Sequence, residues 1–426
     1  MGGRGPVSGA ERAGPGAVVL TGLGALTPLG LDVASTWSGL LEGRSGVGPI
    51  SAFDPTGLTT RIAAEVRGFD PASVLDPKRL RRTSRAAQLA VAAAREAVAD
   101  AGLDLAAVDR ERVGVVLNSA VAGFDTVERA VRQLLGAAEG RVGPYMVSSS
   151  ITNMAACEVA IDLDLHGPVL ASALACASGA YAFLEAARFL ASGEADVVLC
   201  GGTDAGITRA MFEGLTVMGA LSTRNDDPEG ASRPFDVGRD GFVFGEGAVV
   251  AVLERLEHAR ARGAEPYCQV AGGALTADAF HPSAPEPSGR YAASAIERAL
   301  QRSGVHPEEL DLVVAHGTGT QANDRTEAQA LHRALGEAAQ QPLVSAPKGA
   351  LGHLIGAAGA LGVLVCALGI RQGVVPPTRN LEEPDPACLP LRHVAGQAKQ
   401  ARVRAAITNA FGFGGQNCTV VLRALP

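Results

Sequence analysis

A thiol and two imidazoles stand out in a chain crowded with alanine and glycine. Cys176 lies in "VLASALACASGAYAFLEAARFLASG" (169–193), where the apolar run "PVLASALA" meets a helical pattern running from Ala177 through Tyr181, Phe183, Leu184, Ala187, Phe189 and Leu190 to Gly193. A strand, a small-residue turn and a helix put that thiol at a helix N-terminus. There, unpaired N–H groups and the helix dipole favour thiolate over thiol. His316 stands at the strand end in "VVAHGTGTQANDRTEAQAL", followed by Thr318, Thr320 and, in the next helical stretch, Glu327. His353 follows Lys348 in "SAPKGALGHLIGAAGA". Taken singly, the cysteine reads as a small buried hydrophobe, and a histidine at a strand end as a satisfied structural group. Two histidines, each in a Gly-rich turn opening a helix, make a different set with the thiol. A thiolate can accept an acyl group from a carrier thioester. Two imidazole Nε2–H groups can hold the enolate oxygen left when a malonyl-type thioester loses CO₂.

The elements that must position these residues alternate between strand and helix. "AVVLTG", "VGVVLN", "ADVVLCGG", "GAVVAVLERL", "CQVAGGAL", "LDLVVAHG", "PLVSAP", "AAITNAFG" and "CTVVLRAL" read as strands, and "SRAAQLAVAAAREAVADAG" and "GRYAASAIERALQRSG" as helices. The alternation predicts α/β layering. A weak internal repeat sharpens it. "TGLGALTP" (21–28) is echoed by "AGGALTAD" (271–278), and the strand–turn–helix–strand unit around Cys176 is echoed by "PLVSAPKGALGHLIGAAGALGVLVCALGIRQGVVP". Two echoes in the same order point to duplication. The expected organisation is a flexible tail over 1–15 and two halves, 16–260 and 261–426, with extra material between about Asn118 and Leu165 in the first. Cys176 and the Lys348–His353 stretch then occupy matching turns, which can face one another across a pseudo-twofold.

Composition narrows the function classes. The chain has 426 residues, is 47% hydrophobic and carries a net charge of −7, which gives no support to nucleic-acid binding. Seven scattered cysteines without a CxxC pair suit neither a disulfide framework nor a zinc site, and point to a reducing compartment. The first fifteen residues lack the apolar core of a signal peptide. The longest apolar run, "HLIGAAGALGVLVCALGI", reads as a buried helix, so a cytoplasmic protein off the membrane is expected. "TGLGALTPLG" lacks the third glycine of a dinucleotide loop, with Thr27 in its place. "DPKRLRRTS", with Lys78, Arg79, Arg81 and Arg82, reads as a solvated helix face or as basic surface for an acidic partner.

The motifs "VVLTGLGALTPLG", "STWSGLLEGRSGVGPI", "ACASG", "ALSTRNDDPEGASRPFDVGRDGFVFGEGA", "ADAFHPSAP", "HGTGT", "KGALGHLIGAAGA", "PPTRNLEEPDP" and "NAFGFGGQN" occur in that order. With them the chain resembles the β-ketoacyl-acyl-carrier-protein synthases of the thiolase superfamily, above all the elongating condensing enzymes of bacterial fatty-acid synthesis and the ketosynthase subunits of type II polyketide systems. The resemblance implies an α/β thiolase fold, two duplicated halves in five αβαβα layers, and an acyltransferase that performs a decarboxylating Claisen condensation. It implies Cys176 as nucleophile, His316 and His353 as the decarboxylation pair, and Lys348 with Glu327 as a buried ion pair supporting them. Phe413 matches a gating phenylalanine whose N–H, with that of Cys176, makes the oxyanion hole. Thr318, Thr320 and Ser283 match contacts to the phosphopantetheine arm, Asp278 and His281 fall in a second gate, and Val121 matches the acyl-pocket floor.

No metal and no tightly bound cofactor is implied, since substrates arrive on acyl carrier protein. The implied partners are that carrier and a second subunit, either identical or a homologous chain-length factor. The interface is expected along Gly143–Leu165, with Tyr145, Met146, Ile151 and Met154. Leu174 and Gln416 replace residues that are usually Thr, Ser148 one that is usually Pro, and Val121 one that is often bulkier. These leave open the acyl substrate and the pathway, whether fatty acid or polyketide, polyenes included. Two alternatives share the fold: a degradative thiolase, which needs a second catalytic cysteine in the C-terminal loop although Cys418 lies past it, and a ketosynthase subunit active only with a chain-length factor.

Overall fold

The computed structural model describes residues 16–388 and 390–426, so the expected tail at 1–15 lies outside the described residues. Eleven strands form one continuous sheet among them: β1 (Val18–Leu26), β2 (Val113–Asn118), β3 (Val169–Leu170), β4 (Val197–Asp204), β5 (Gly247–Arg255), β6 (Cys268–Ala277), β7 (Leu312–Val314), β8 (Leu343–Ser345), β9 (Arg392–His393), β10 (Ala405–Gly412) and β11 (Gln416–Arg423). Their spatial order is β9-β8-β7-β10-β11-β6-β1-β5-β4-β2-β3.

The order contains its own repeat. Outward from the centre, β1-β5-β4-β2-β3 has two antiparallel pairings and then two parallel ones. Outward on the other side, β6-β11-β10-β7-β8 has the same sequence of pairings. The two runs meet through Val19–Gln269 and Leu20–Cys268 alone. Parallel neighbours need crossover connections, and helices supply them.

Helices α1 (Arg85–Asp100), α2 (Phe124–Leu134), α3 (Met146–Ser150), α4 (Met154–Leu163) and α5 (Ser178–Ser192) belong to the first run, and α6 (Arg290–Ser303), α7 (Gln321–Leu335) and α8 (Ala358–Gln372) to the second. α1 and α4 cover the outer face of the first run and α6 and α7 that of the second, while α5 and α8 pack on each other between the two runs. The result is five layers, α/β/α/β/α. Side-chain patterning matches each placement. α1 buries Ala86, Leu89, Ala90, Ala93 and Ala97, one stripe of an amphipathic helix. In α8 every residue from Ala358 to Gly369 is buried, as befits a helix covered on all sides. That explains the apolar run noted in the sequence: Ile355–Gln372 is long and apolar enough to cross a membrane, yet 83% of it is buried inside the protein.

The two central helices touch at their backbones. A Cβ on Gly179 of α5 would lie 2.5 Å from the Gly356 carbonyl oxygen, and one on Gly359 of α8 would lie 2.5 Å from the Ala180 nitrogen. Glycine at both positions allows this approach, and the approach draws the N-terminal ends of α5 and α8 together. The extra material in the first half behaves differently. α2 buries Ala130 alone, and Leu134, Leu135, Val147 and Ile161 are all more than half exposed. Beside them, β3 forms an outer edge of the sheet with Val169 exposed.

Candidate active site

The turn before α5 lifts Cys176 out of regular structure. Ala175 takes φ +46°, a left-handed conformation that only a small side chain tolerates cheaply. The Leu174 N–H donates to Ser178 Oγ (2.9 Å), which in turn donates to the Ala175 carbonyl (2.7 Å). Gly412 backs the turn: a Cβ there would lie 2.6 Å from the Leu174 oxygen. The Cys176 and Phe413 N–H groups both lie beside the sulfur.

His316 follows β7, and two carboxylates of α7 hold its loop by the backbone. Glu327 accepts from the N–H groups of His316 and Gly317, each at 2.8 Å, and from Asn409 Nδ2 at 3.2 Å. Asp324, one turn earlier, accepts from the N–H groups of Thr318 (3.1 Å) and Gly319 (3.2 Å). Four successive amides are thereby fixed. Lys348 donates to the His316 carbonyl oxygen and faces its Nδ1 at 3.4 Å. His353 is stitched to the strand-like segment Val243–Gly245: its N–H donates to the Val243 carbonyl (2.7 Å), and its carbonyl accepts from Gly245 (2.8 Å). The Phe242 ring packs edge-on at 5.5 Å, and the Ile355 N–H donates to His353 Nδ1 at 3.0 Å.

The sequence set its reactive groups far apart, and the fold brings them together. One ligand-type atom each from Cys176, His316 and His353 lies within 4.8 Å of the others, and the imidazoles cross at 83° with ring centres 5.4 Å apart. Both imidazoles present the same atom. His353 Nδ1 accepts a backbone N–H and His316 Nδ1 faces an ammonium, so the proton of each neutral ring belongs on Nε2. Burial, with the Lys348 charge second, holds both rings well below the usual histidine range and keeps them neutral. The buried His353 Nε2 has no hydrogen-bond partner among the described residues, which leaves it available to a substrate oxygen. A metal would need unprotonated Nε2 atoms, so this trio is arranged to donate hydrogen bonds rather than to ligate an ion.

Two expectations need correction. Burial pushes the Cys176 thiol up to about 11, although Lys348 and the Phe413 N–H pull the other way, so the resting group is a thiol and not the thiolate expected of a helix N-terminus. Loss of water outweighs the favourable local charges. Lys348 and Glu327 do not form the expected direct ion pair. The ammonium goes to His316, the carboxylate goes to backbone amides, and His316 stands between them. Burial still moves both groups toward neutrality, lowering Lys348 and raising Glu327.

The remaining expected residues frame this centre. Phe413 is 40% exposed at the tip of its loop. That loop is clipped to the segment holding Asp278, His281 and Ser283: Asn417 Nδ2 donates to Asp278 Oδ1 (2.7 Å), and the Gly414 N–H to the Pro282 carbonyl (2.7 Å). His281 is exposed and its Nδ1 accepts from the N–H groups of Ser283 and Ala284, so His281 and Ser283 sit apart from the buried trio. Thr318 and Thr320 share a hydroxyl contact at 2.9 Å, and Thr320 also caps α7. Val121 lies past the end of β2, in a turn facing Gly206 and the Phe244 ring. In the basic stretch, Arg79 and Arg82 are drawn inward by Glu158, and Arg79 also by Asp162, while Lys78 and Arg81 make no ion pair among the described residues.

Sequence reasoning missed Asp324, Phe242 and Asp204. The "DxxE" spacing in the α7 sequence was a usable signal for Asp324, since residues three apart share a helix face. Ala122, Ala175, Ala279 and Ile355, next to Val121, Cys176, Asp278 and near His353, all have φ between +46° and +51°. Strained backbone of this kind collects at functional sites.

Comparison with known proteins agrees with this geometry. Residues 16–259 match the family model "Beta-ketoacyl synthase, N-terminal domain" and residues 267–382 the model "Beta-ketoacyl synthase, C-terminal domain". The chain is 42% identical over 405 residues to a 3-oxoacyl-(acyl-carrier-protein) synthase 2 of Coxiella burnetii, covering 95% of this chain and 98% of that one. Among solved structures it is similar to the ishigamide ketosynthase/chain length factor, with TM-score 0.90, 37% identity and coverage of 97% of this chain and 100% of that one. It is also similar to a ketosynthase solved in complex with its type II PKS acyl-carrier protein and bound to the hexaketide, with TM-score 0.89, 29% identity and coverage of 97% and 100%.

The raised thiol has a measurable consequence. Below its pKa the thiolate fraction grows about tenfold per pH unit, so alkylation of Cys176 by iodoacetamide should keep accelerating from pH 7 to 10. Peptide-resolved alkylation rates check this, and a plateau below pH 8 would show a resting thiolate instead.

Proposed function

The chain belongs to the beta-ketoacyl synthase family, and from that premise we propose how its own residues perform a decarboxylating condensation on carrier-bound thioesters. The observation that carries the reading is the meeting of one buried thiol with two Nε2–H donors.

In the first half-reaction Cys176 sulfur attacks the acyl carrier thioester. The carbonyl oxygen gains charge facing the N–H groups of Cys176 and Phe413. Collapse breaks the old C–S bond, and the thiol proton ends on the departing carrier sulfur. Phe413, exposed on a loop clipped to the Asp278 segment, gates the second substrate. In the second half-reaction the malonyl thioester oxygen lies against His316 and His353 Nε2–H. The bond to the carboxylate breaks, CO₂ leaves, and the electron pair forms an enolate held by two neutral donors that strengthen as charge develops. The enolate carbon attacks the Cys176 thioester, the same oxyanion hole serves again, and expulsion of the Cys176 sulfur, which takes one proton from solvent, releases a 3-oxoacyl carrier two carbons longer.

Lys348 and Glu327 act by fixing His316, Thr318 and Thr320 with Ser283 receive the phosphopantetheine arm, His281 belongs to the second gate, and Val121 sets the acyl floor. The chemistry calls for no tightly bound cofactor, because decarboxylation itself generates the carbanion. A cytoplasmic setting keeps all seven cysteines as the free thiols found here. Residues 16–260 and 261–426 are proposed as the two copies of the duplication, on the strength of the order that the first five strands outward from the centre share. The thiolase alternative loses support because Cys418 is buried within β11, paired with Ala410, and not in the Gly-rich loop.

The half-reactions separate by mutation. Cys176→Ala should abolish acylation in intact-mass analysis. His353→Ala should still acylate but release CO₂ from malonyl carrier about 10² to 10³ times more slowly, as loss of one oxyanion donor does elsewhere. Normal decarboxylation by His353→Ala would refute its role.

We also propose that the apolar surface of α2 to α4, with the uncovered edge β3, seats a homologous second subunit. Sedimentation should give a dimer at micromolar concentration, either of this chain alone or on adding a chain-length factor. A fully active monomer would contradict this.

A further inference from the structure

Asp204 closes β4, is fully buried, and has no part in the steps above. Its two oxygens take four donors: Ser119 Oγ (2.5 Å) and the Val121 N–H (3.0 Å) on Oδ1, and the N–H groups of Ala120 (3.0 Å) and Gly356 (2.6 Å) on Oδ2. No cation pairs with it among the described residues. Three of these donors are backbone N–H groups, which cannot accept a carboxyl proton, and with the Ser119 hydroxyl they favour the carboxylate against the burial that raises its pKa. A Cβ at position 356 would lie 2.3 Å from Asp204 Oδ2, so glycine is required there.

The carboxylate therefore joins two loops from different halves of the chain. One carries Val121. The other carries Ile355, whose φ of +51° is strained for a β-branched residue and persists only where surroundings enforce it. The Ile355 N–H is the group that donates to His353 Nδ1.

We propose that Asp204 is a positioning residue: by gripping the Gly356 amide it holds the strained Ile355 peptide in place, and that peptide keeps the His353 proton on Nε2, facing Cys176. The same grip fixes the turn under the acyl chain, so the two substrate sites share one anchor. This rests on the proposed condensing chemistry and adds to it the group that sets the donor atom.

Asparagine at 204 offers one oxygen where the carboxylate offered two, so some donors would face an amide NH₂. For Asp204→Asn the expected result is a fall in kcat for malonyl-carrier decarboxylation of about ten- to a hundredfold, the scale of a small misplacement of a reacting group. KM should be little changed, and Cys176 acylation, which feels the grip only through the turn at Val121, should fall less than decarboxylation does. Spectra of protein labelled with ¹⁵N-histidine should show His353 lose its single Nε2–H tautomer. Asp204→Asn/Ile355→Gly should recover part of the rate, because glycine adopts the required φ without strain. Decarboxylation at the wild-type rate, equal loss of both half-reactions, or no recovery in the double variant would overturn the proposal. Should Asp204→Asn fail to fold, the double variant decides: recovery of fold and activity supports it, and failure counts against it. A wild-type protein that releases no CO₂ would instead overturn the condensing reading, leaving the tautomer spectra to judge Asp204 alone.

Discussion

The backbone contact between α5 and α8 is the constraint on which the rest depends. Each helix opens at the C-terminal end of strands from its own half, and each carries a reactive residue at or just before its first turn. With larger residues at 179 and 359 the helices would stand further apart, and the thiol would be separated from the imidazoles. Close packing of small residues here does what a metal or a disulfide does elsewhere: it fixes the separation of groups far apart in sequence. It also excludes water, and that sets the chemistry. Burial keeps the histidines neutral and the cysteine protonated, so the centre works through aimed hydrogen bonds and not through standing charge.

The carboxylates and the ammonium around the centre follow the same logic. Glu327 and Asp204 accept from backbone amides and pair with no cationic side chain among the described residues, Asp324 accepts from backbone amides beside the buried Arg239 guanidinium at 3.6 Å, and Lys348 spends its donors on one histidine. Ionised groups in a dry interior need such donors. In return they immobilise the loops bearing His316, Val121 and Ile355. The division of labour is clear: loops in strained conformations present the reactive atoms, and buried charges on regular elements hold the strain.

Much of this was legible in the sequence. Apolar runs bounded by glycine gave the long strands, and the Ala-rich periodicity gave α1 and α6, because burial on one face leaves a stripe that composition reveals. The paired echoes around Cys176 and His353 located α5 and α8 correctly because a strand, a small-residue turn and a long apolar helix leave the same pattern in both places. What stayed hidden depends on distance through space. The thiol at a helix start looked like a thiolate because desolvation leaves no trace in neighbouring letters. Lys348 and Glu327 are a pair only by the resemblance, since nothing in their spacing joins them, and the fold inserts His316 between them. Asp204 ends a buried strand, and nothing beside it in sequence shows that its four partners come from two distant loops.

The central claim is that one covalent intermediate on Cys176 is consumed by a carbanion generated by loss of CO₂. The most direct test is a single turnover of enzyme pre-acylated on Cys176 with malonyl carrier labelled with ¹³C at the free carboxylate, followed by intact mass and CO₂ capture. The account predicts that the Cys176 adduct disappears with the same rate constant as a 3-oxoacyl carrier two carbons longer appears, with all the label in CO₂. Label retained in the product, or an adduct that survives while product forms, would contradict it.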